Sequence, residues 1–235
     1  MANKAHRSSI VGFLARWIAG VLFVWLLVSV GLVVALRFVA PPVTAMMLEQ
    51  PVPLRDVVYS WRNRGDISAS VAHAVIASED QRFIAHHGID FKSLDAALDD
   101  YRAGDDLRGA STITQQVAKN LFLWPGRSFL RKALEVYFAL LLETFWSKQR
   151  ILEVYLNVAE LGSGVFGVEA AAQRFFGTHA DALSGPQAAV LAAVLPNPRA
   201  LHADRPSAYV RGRQAWILSQ MALLESRGHY RGLDW

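Results

Sequence analysis

Residues 78 to 90 read SEDQRFIAHHGID, placing the adjacent acids Glu79 and Asp80 ahead of Arg82, Phe83, two histidines and Gly88. Another acid, Glu135, lies in FLRKALEVYFALLLE, with Arg131 four residues and Lys132 three residues before it, so all three can share one helical face. A carboxyl within that much apolar sequence is partly desolvated, which is one way a carboxyl is tuned for acid–base work. The spacing gives a two-carboxylate site with basic residues and no more. It leaves Glu79 open to being a solvated helix end, Arg131 with Glu135 to being a surface pair, and STITQQ to being a capped helix start. His86 and His87 read as polar loop residues, because a zinc site needs three or four converging ligands.

The elements that must position these groups are helical by their apolar period. ISASVAHAVIASED runs from a serine cap to Glu79, and KSLDAALDDYRAG ends in Gly104. STITQQVAKNLF, FLRKALEVYFALLLETFW, QRILEVYLNVAEL and GVEAAAQRFFG follow. SGPQAAVLAAVL carries a Ser184 to Gln187 capping box, and the last helix has Pro206 near its start and Gly228 where a terminating glycine belongs. Clear two-residue alternation is absent, so the domain is expected to be all-α.

The uncharged run Trp17 to Leu36, WIAGVLFVWLLVSVGLVVAL, has the length of a membrane-spanning helix. It is too long for the apolar core of a cleaved signal, and ALRFVAPP is a poor cleavage site. Lys4, Arg7 and Arg16 precede it and only Arg37 closely follows, so residues 1 to 16 are expected in the cytoplasm and the rest outside. Pro41, Pro42, Pro51 and Pro53 mark residues 37 to 56 as an extended connector, and the folded domain is expected over 57 to 235. With 235 residues and 53% hydrophobic content the chain can bury one core plus an accessory segment. The absence of cysteine excludes disulfides, thiolate catalysis and thiolate metal sites. The net charge of +4 comes without zinc-ligand spacing or a basic run with interleaved aromatics, so it points to an anionic membrane or phosphate-bearing substrate and not to nucleic acid. There is no GxxxxGK[ST] and no HExxH, and GSGVFGVE lacks a strand-then-helix context, so no organic cofactor is expected.

EDQRFIAHHG resembles the E-D-x-x-F-x-x-H-x-G motif of the peptidoglycan glycosyltransferases, glycosyltransferase family 51. GASTITQQVAKN (109 to 120) is similar to that family's second motif, RKALE to its third, RILEVYLN to its fourth and AAVLAAVLPNP to its fifth. No S-x-x-K, S-D-N and K-T-G set accompanies them. NVAELGSGVFG, after the fourth motif, departs from the aromatic-glycine ending of many relatives and resembles the monofunctional Gram-negative branch.

The resemblance implies a single-pass inner-membrane protein with a lysozyme-like, two-lobed, mostly helical domain on the periplasmic side. The implied substrates are lipid II and a growing glycan chain on undecaprenyl pyrophosphate, joined by an inverting β-1,4 transfer. Glu79 would be the general base toward the acceptor 4-hydroxyl. Glu135 would assist departure of the lipid pyrophosphate, either through a divalent cation (magnesium or manganese) near it or through the basic residues around it. Lys119, Arg127 and Arg131 are the expected phosphate binders, Ser111, Thr112, Gln116 and Asn120 the expected cleft residues, and Asp80, Phe83, His86, Gly88 and Lys132 the expected supports. Other cell-wall synthesis or division proteins are the expected protein partners. The rivals are an anchored enzyme that cuts glycan strands, which needs little cationic lining, and a non-catalytic cell-wall scaffold. NLFLWPGRSFL (120 to 130) has two readings: core, or a loop that dips Phe122 and Trp124 into the membrane.

Overall fold

The computed structural model describes residues 2–49, 51–102, 111–126 and 128–235, and it is mostly helical, as the periodicity predicts. Gly104 and Arg127 lie outside the described residues. The chain divides into two compact units, Met1–Val39 and Ala40–Trp235.

The first unit is one helix, α1 (Ala2–Leu36), whose Gly12–Leu36 stretch has 25 residues and a mean hydropathy of 2.7. At 1.5 Å rise per residue this exceeds the roughly 30 Å hydrocarbon core and allows some tilt. The span expected over 17 to 36 lies inside it, and residues 2 to 16, expected as a tail, continue the same helix.

The second unit begins before its expected start at residue 57. Thr44 accepts from the Met47 amide (3.3 Å) and so caps α2 (Ala45–Leu48), which packs on α5 (Ile113–Phe122) with Met47 only 2% exposed. The prolines at 41–42 and 51–53 bracket this short helix instead of excluding structure. The other helices are α3 (Ala69–Glu79), α4 (Phe91–Arg102), α6 (Phe129–Phe145), α7 (Lys148–Val158), α8 (Val168–Phe176), α9 (Gly185–Val194) and α10 (Ala208–Ser226). Thr112, Ser128, Ser147 and Ser207 cap α5, α6, α7 and α10 with their hydroxyls. Ser68 stands before α3 but makes no such bond; its amide donates to the Ala180 carbonyl instead (3.0 Å). Gly228 follows α10 at φ +70°, as a terminating glycine should.

Alanine decides the core. Ala188 to Val194 of α9 are all buried, and their small side chains let α3 and α10 close on α9. The other packed layer is α5 against α6 and α7.

The all-α expectation needs one addition, a three-stranded sheet of β1 (Val58–Tyr59), β2 (Glu160–Gly162) and β3 (Val165–Phe166) in the order β1-β3-β2. β1 runs parallel to β3, pairing Val58 with Val165, and β2 runs antiparallel to it. Strands of two or three residues are too short to show alternation. Gly167 closes this unit at φ +82°; a Cβ there would lie 2.4 Å from the Asn157 carbonyl oxygen, so no other residue fits. Asn157 binds the Arg62 backbone through both amide atoms, at 2.8 Å each. Fully buried Glu169 takes Arg62 (2.7 Å), His179 (2.8 Å) and the Ala180 amide (2.8 Å), which ties the sheet segments to α7 and α8.

Candidate active site

Asp80 assembles the site. It terminates α3, is 8% exposed, and its Oδ2 accepts from the Ile113 amide at 3.0 Å, on the first residue of α5. Carboxylate charge at a helix N-terminus is favourable, so this bond locks the end of α3 to the start of α5. His86 Nε2 lies 2.9 Å from both Asp80 oxygens, and His86 is buried while His87 is exposed. The polar-loop reading therefore fails for His86: it supports Asp80. Phe83 is fully buried beneath the Lys148 ammonium (4.5 Å). Gly88, at φ +83°, gives its carbonyl to the Thr112 hydroxyl (2.6 Å), and a Cβ on it would press Glu143 Cγ at 3.1 Å. Asp80, Phe83, His86 and Gly88 thus sit in one buried brace.

The brace sets Glu79 against α5. Gln116 Nε2 donates to Glu79 Oε2 (3.0 Å), Ser78 Oγ donates to Oε1 (3.1 Å), and Arg213 Nη2 stands 3.8 Å from Oε1. The Gln116 amide is held the right way round by Tyr155, whose hydroxyl donates to Gln116 Oε1 at 3.0 Å. Burial, reinforced by the charges of Glu79 and Asp80, pushes the Tyr155 phenol well above its ordinary pKa, so it stays a donor. The Glu79 side chain is 14% exposed, accessible yet fixed.

One helical turn of α6 builds the other half. Arg131 Nη1 donates to Glu135 Oε2 (2.7 Å) and Lys132 Nζ to Glu135 Oε1 (2.5 Å). Glu135 is 4% exposed, which removes the surface-pair reading. Lys119 stands among them. Burial lowers its pKa, Glu135 and Glu79 act to raise it, and Arg131 and Lys132 push it further down. Three cations around one carboxylate leave about two positive charges without an internal counter-ion, a setting for an anionic group.

A cleft of about 1260 Å³ joins the halves: Glu79, Ser111, Gln116 and Lys132 line it together. That exceeds the usual ~300–1,000 Å³ of a small-molecule pocket and suits an extended substrate. Thr112 borders a recess beside it, but its hydroxyl is taken by Gly88 and the Gln115 amide, so it holds the α5 start. Asn120 is buried one turn beyond Gln116. Asn197 of the fifth motif also lines the cleft, as do Arg213 and Tyr209 of α10, which went unread in the sequence. Arg213 sits 134 positions from Glu79, in a helix whose period gave no sign of it.

The stretch from 120 to 130 divides between its two readings. Leu121 and Leu123 are buried and Phe122 stacks on Phe138 (centroids 4.5 Å), whereas Trp124, Phe129 and Leu130 are 45%, 98% and 67% exposed. The Ser128 cap starts α6 at Phe129, which turns its first two side chains outward. Phe122 is half-buried against Phe138, and Trp124 with Phe129 and Leu130 forms the outward apolar patch.

Comparison with known proteins agrees with this geometry. Residues 51–222 match the Transglycosylase family. The chain is 51% identical to a biosynthetic peptidoglycan transglycosylase of Ectopseudomonas mendocina over 92% of both chains. It is 52% identical to the protein of that name in Pseudomonas entomophila over 88% of this chain and 90% of the relative. The corresponding protein of Stutzerimonas stutzeri is 51% identical over 89% of each. These relatives carry the name of a strand-building enzyme, not of a strand-cutting one or a scaffold. The chain belongs to the transglycosylase family and is a peptidoglycan glycosyltransferase that polymerises glycan strands.

Proposed function

We propose that the chain elongates glycan strands from lipid II, with Glu79 as the base and the Lys119–Arg131–Lys132 group as the receptor for the departing pyrophosphate. The observation that carries this reading is the cleft shared by Glu79 and Lys132, with a fixed carboxylate on one wall and, on the other, a half-exposed cation that shares one carboxylate with Arg131. Glu79 removes the proton of the acceptor 4-hydroxyl, which attacks C1 of the donor. The new β-1,4 bond forms as the bond from C1 to the lipid pyrophosphate breaks, and fixed cations stabilise the charge that builds on the leaving oxygen. Arg127, which lies between the second and third motifs, is assigned to the same phosphate group from the sequence alone.

Glu135 works in this reading through its cations. A divalent cation beside it does not fit the donor set: each of its oxygens already accepts from a cation, and no group of three or more His, Asp or Glu ligands converges among the described residues. Magnesium and manganese favour several oxygen ligands. In the membrane, the basic residues before the apolar run favour a cytoplasmic N-terminus and a periplasmic catalytic domain. The Trp124–Phe129–Leu130 patch gives the domain a second lipid contact, so the polyprenyl chain stays in the bilayer while its pyrophosphate reaches Lys119.

The test is Glu79→Gln. The amide keeps the shape and can still accept from Gln116, but it takes no proton. Positioned acid–base catalysis is worth about 10²–10⁴-fold, or roughly 2.7–5.5 kcal/mol of barrier. Turnover of lipid II should fall by that factor with binding retained; turnover within about threefold of the parent removes Glu79 from the mechanism.

A further inference from the structure

Tyr209 is the second residue of α10 and is 61% exposed, on a wall of the cleft that also carries Asn197 and Arg213. Its neighbour Val210 is fully buried, and the Val210 amide donates to the Ser207 hydroxyl (3.3 Å), so the backbone beneath the ring is fixed. Arg213 lies four residues on and shares the helical face of Tyr209. It is firmly held. Its Nη2 donates to Ser78 Oγ (3.1 Å) and stands 3.8 Å from Glu79 Oε1, and its guanidinium lies 5.9 Å from the Trp216 ring centre. One helical turn, about 5.4 Å, therefore separates the Tyr209 position from the residue that reaches Glu79. Tyr209 itself braces nothing: among the described residues its hydroxyl has no hydrogen bond and its ring no ring contact.

The setting of the ring shows what it suits. Lys132 of α6 offers the cleft a cation for phosphate, whereas α10 offers it a flat apolar ring beside the neutral Asn197 amide and one guanidinium. A pyranose with equatorial substituents has the matching shape, with C–H bonds over its face and polar groups around its rim. Its C–H hydrogens carry partial positive charge and meet the negative face of an aromatic ring, as an aromatic edge does. The polar rim stays with water or with Asn197 and Arg213, so stacking strands no hydroxyl. A polyprenyl chain has no polar rim; its match in the cleft is Ile89, Phe91 and Leu94, around the start of α4.

We propose that Tyr209 is a sugar platform: its ring stacks on a pyranose next to the bond being made. This rests on the lipid II reading above. The pyranose belongs either to the acceptor disaccharide or to the growing strand, and both offer the same face. Tyr209 binds and orients sugar and takes no proton. It also sets what the cleft accepts, because a lipid pyrophosphate without sugar meets the cations but not the ring.

The test uses the purified full-length chain carrying Glu79→Gln, so that substrate binds without turnover. Tyr209→Ala in that chain should weaken lipid II binding about tenfold and leave the affinity for undecaprenyl pyrophosphate, which carries no sugar, where it was. Tyr209→Trp should restore lipid II binding because it restores a ring; Tyr209→Leu should not, although it restores apolar bulk. With Glu79 intact, Tyr209→Ala tells the two sources of the pyranose apart. Stacking on the acceptor raises the KM for lipid II about tenfold at unchanged kcat. Stacking on the strand leaves KM in place and shortens the glycan about tenfold, because its length is the ratio of elongation to release. Parent-like lipid II binding by the alanine variant overturns the proposal. So does equal weakening of both lipids, which makes the ring a lipid or fold contact, and so does restoration by leucine as full as by tryptophan. A parent that makes no polymer from lipid II refutes the reading of the reaction; a parent that does, with an alanine variant that binds as it does, refutes the platform alone.

Discussion

Glu135→Gln separates a carboxylate that arranges cations from one that acts directly. In the parent each oxygen accepts from one cation, Arg131 at 2.7 Å and Lys132 at 2.5 Å. The amide offers one acceptor and one donor, so one cation keeps its bond and the other faces an N–H and moves away. Losing one preorganised electrostatic contact costs about 10²–10³ in kcat, or about 2.7–4 kcal/mol. The fold suffers too. Arg131 is 12% exposed and loses its counter-ion, at a cost near the low end of the ~3–5 kcal/mol for a broken buried pair because Lys132 is 44% exposed. For a domain of this size that lowers Tm by roughly 6–12 °C. The distinguishing readout is pH. Burial already lowers the Lys119 pKa and Glu135 opposes that effect, so removing its charge lets Lys119 lose its proton at lower pH still. The alkaline limb of the polymerisation pH–rate profile, measured on lipid II with the purified full-length chain, should move down. An alkaline limb that stays in place or moves up refutes the assignment of Lys119 as a cation tuned by Glu135.

Two further outcomes test the rest of the molecule. Serine at Trp124, Phe129 and Leu130 together should abolish binding of the domain from residue 40 onward to anionic liposomes with its melting unchanged; Phe122→Ser should instead destabilise it by roughly 2–4 kcal/mol, because that ring is packed on Phe138. Equal liposome binding by the triple variant would place the lipid contact elsewhere. At Glu169, burial acts to raise the pKa, but the Arg62, His179 and Ala180 donors outweigh it and hold the carboxyl down at about 2 against an ordinary 4.5. A depressed carboxylate adds stability that is complete above its unfolded value and lost as pH falls from about 4.5 toward 2, so acid melting should be markedly shallower in Glu169→Gln than in the parent, and parallel curves would contradict the network.

Local physics made much of this protein legible in its sequence. The long N-terminal helix, which fits a membrane anchor, followed from an uncharged run long enough to span, because a bilayer leaves few other structures for such a run. The helices followed from their period and their serine and threonine caps, and the Arg131–Lys132–Glu135 cluster followed from positions three and four residues apart, which a helix always places on one face. Glu79 was marked out by its motif. Tertiary structure alone decided what these residues face. Glu135 could have been a surface pair until α5 and α6 closed over it, and His86 a loop residue until Asp80 turned inward. Residues 120 to 130 have one composition throughout, yet the Ser128 cap turned Phe129 out while Phe122 packed its ring on Phe138. The two-residue strands were too short to leave a pattern, and Arg213 reached Glu79 only because α9, lined with alanine, lets α3 and α10 approach from opposite ends of the domain's sequence. Spacing fixes neighbours within one helix, but contacts between helices depend on which faces bury the most apolar surface together, and that is a property of the whole chain.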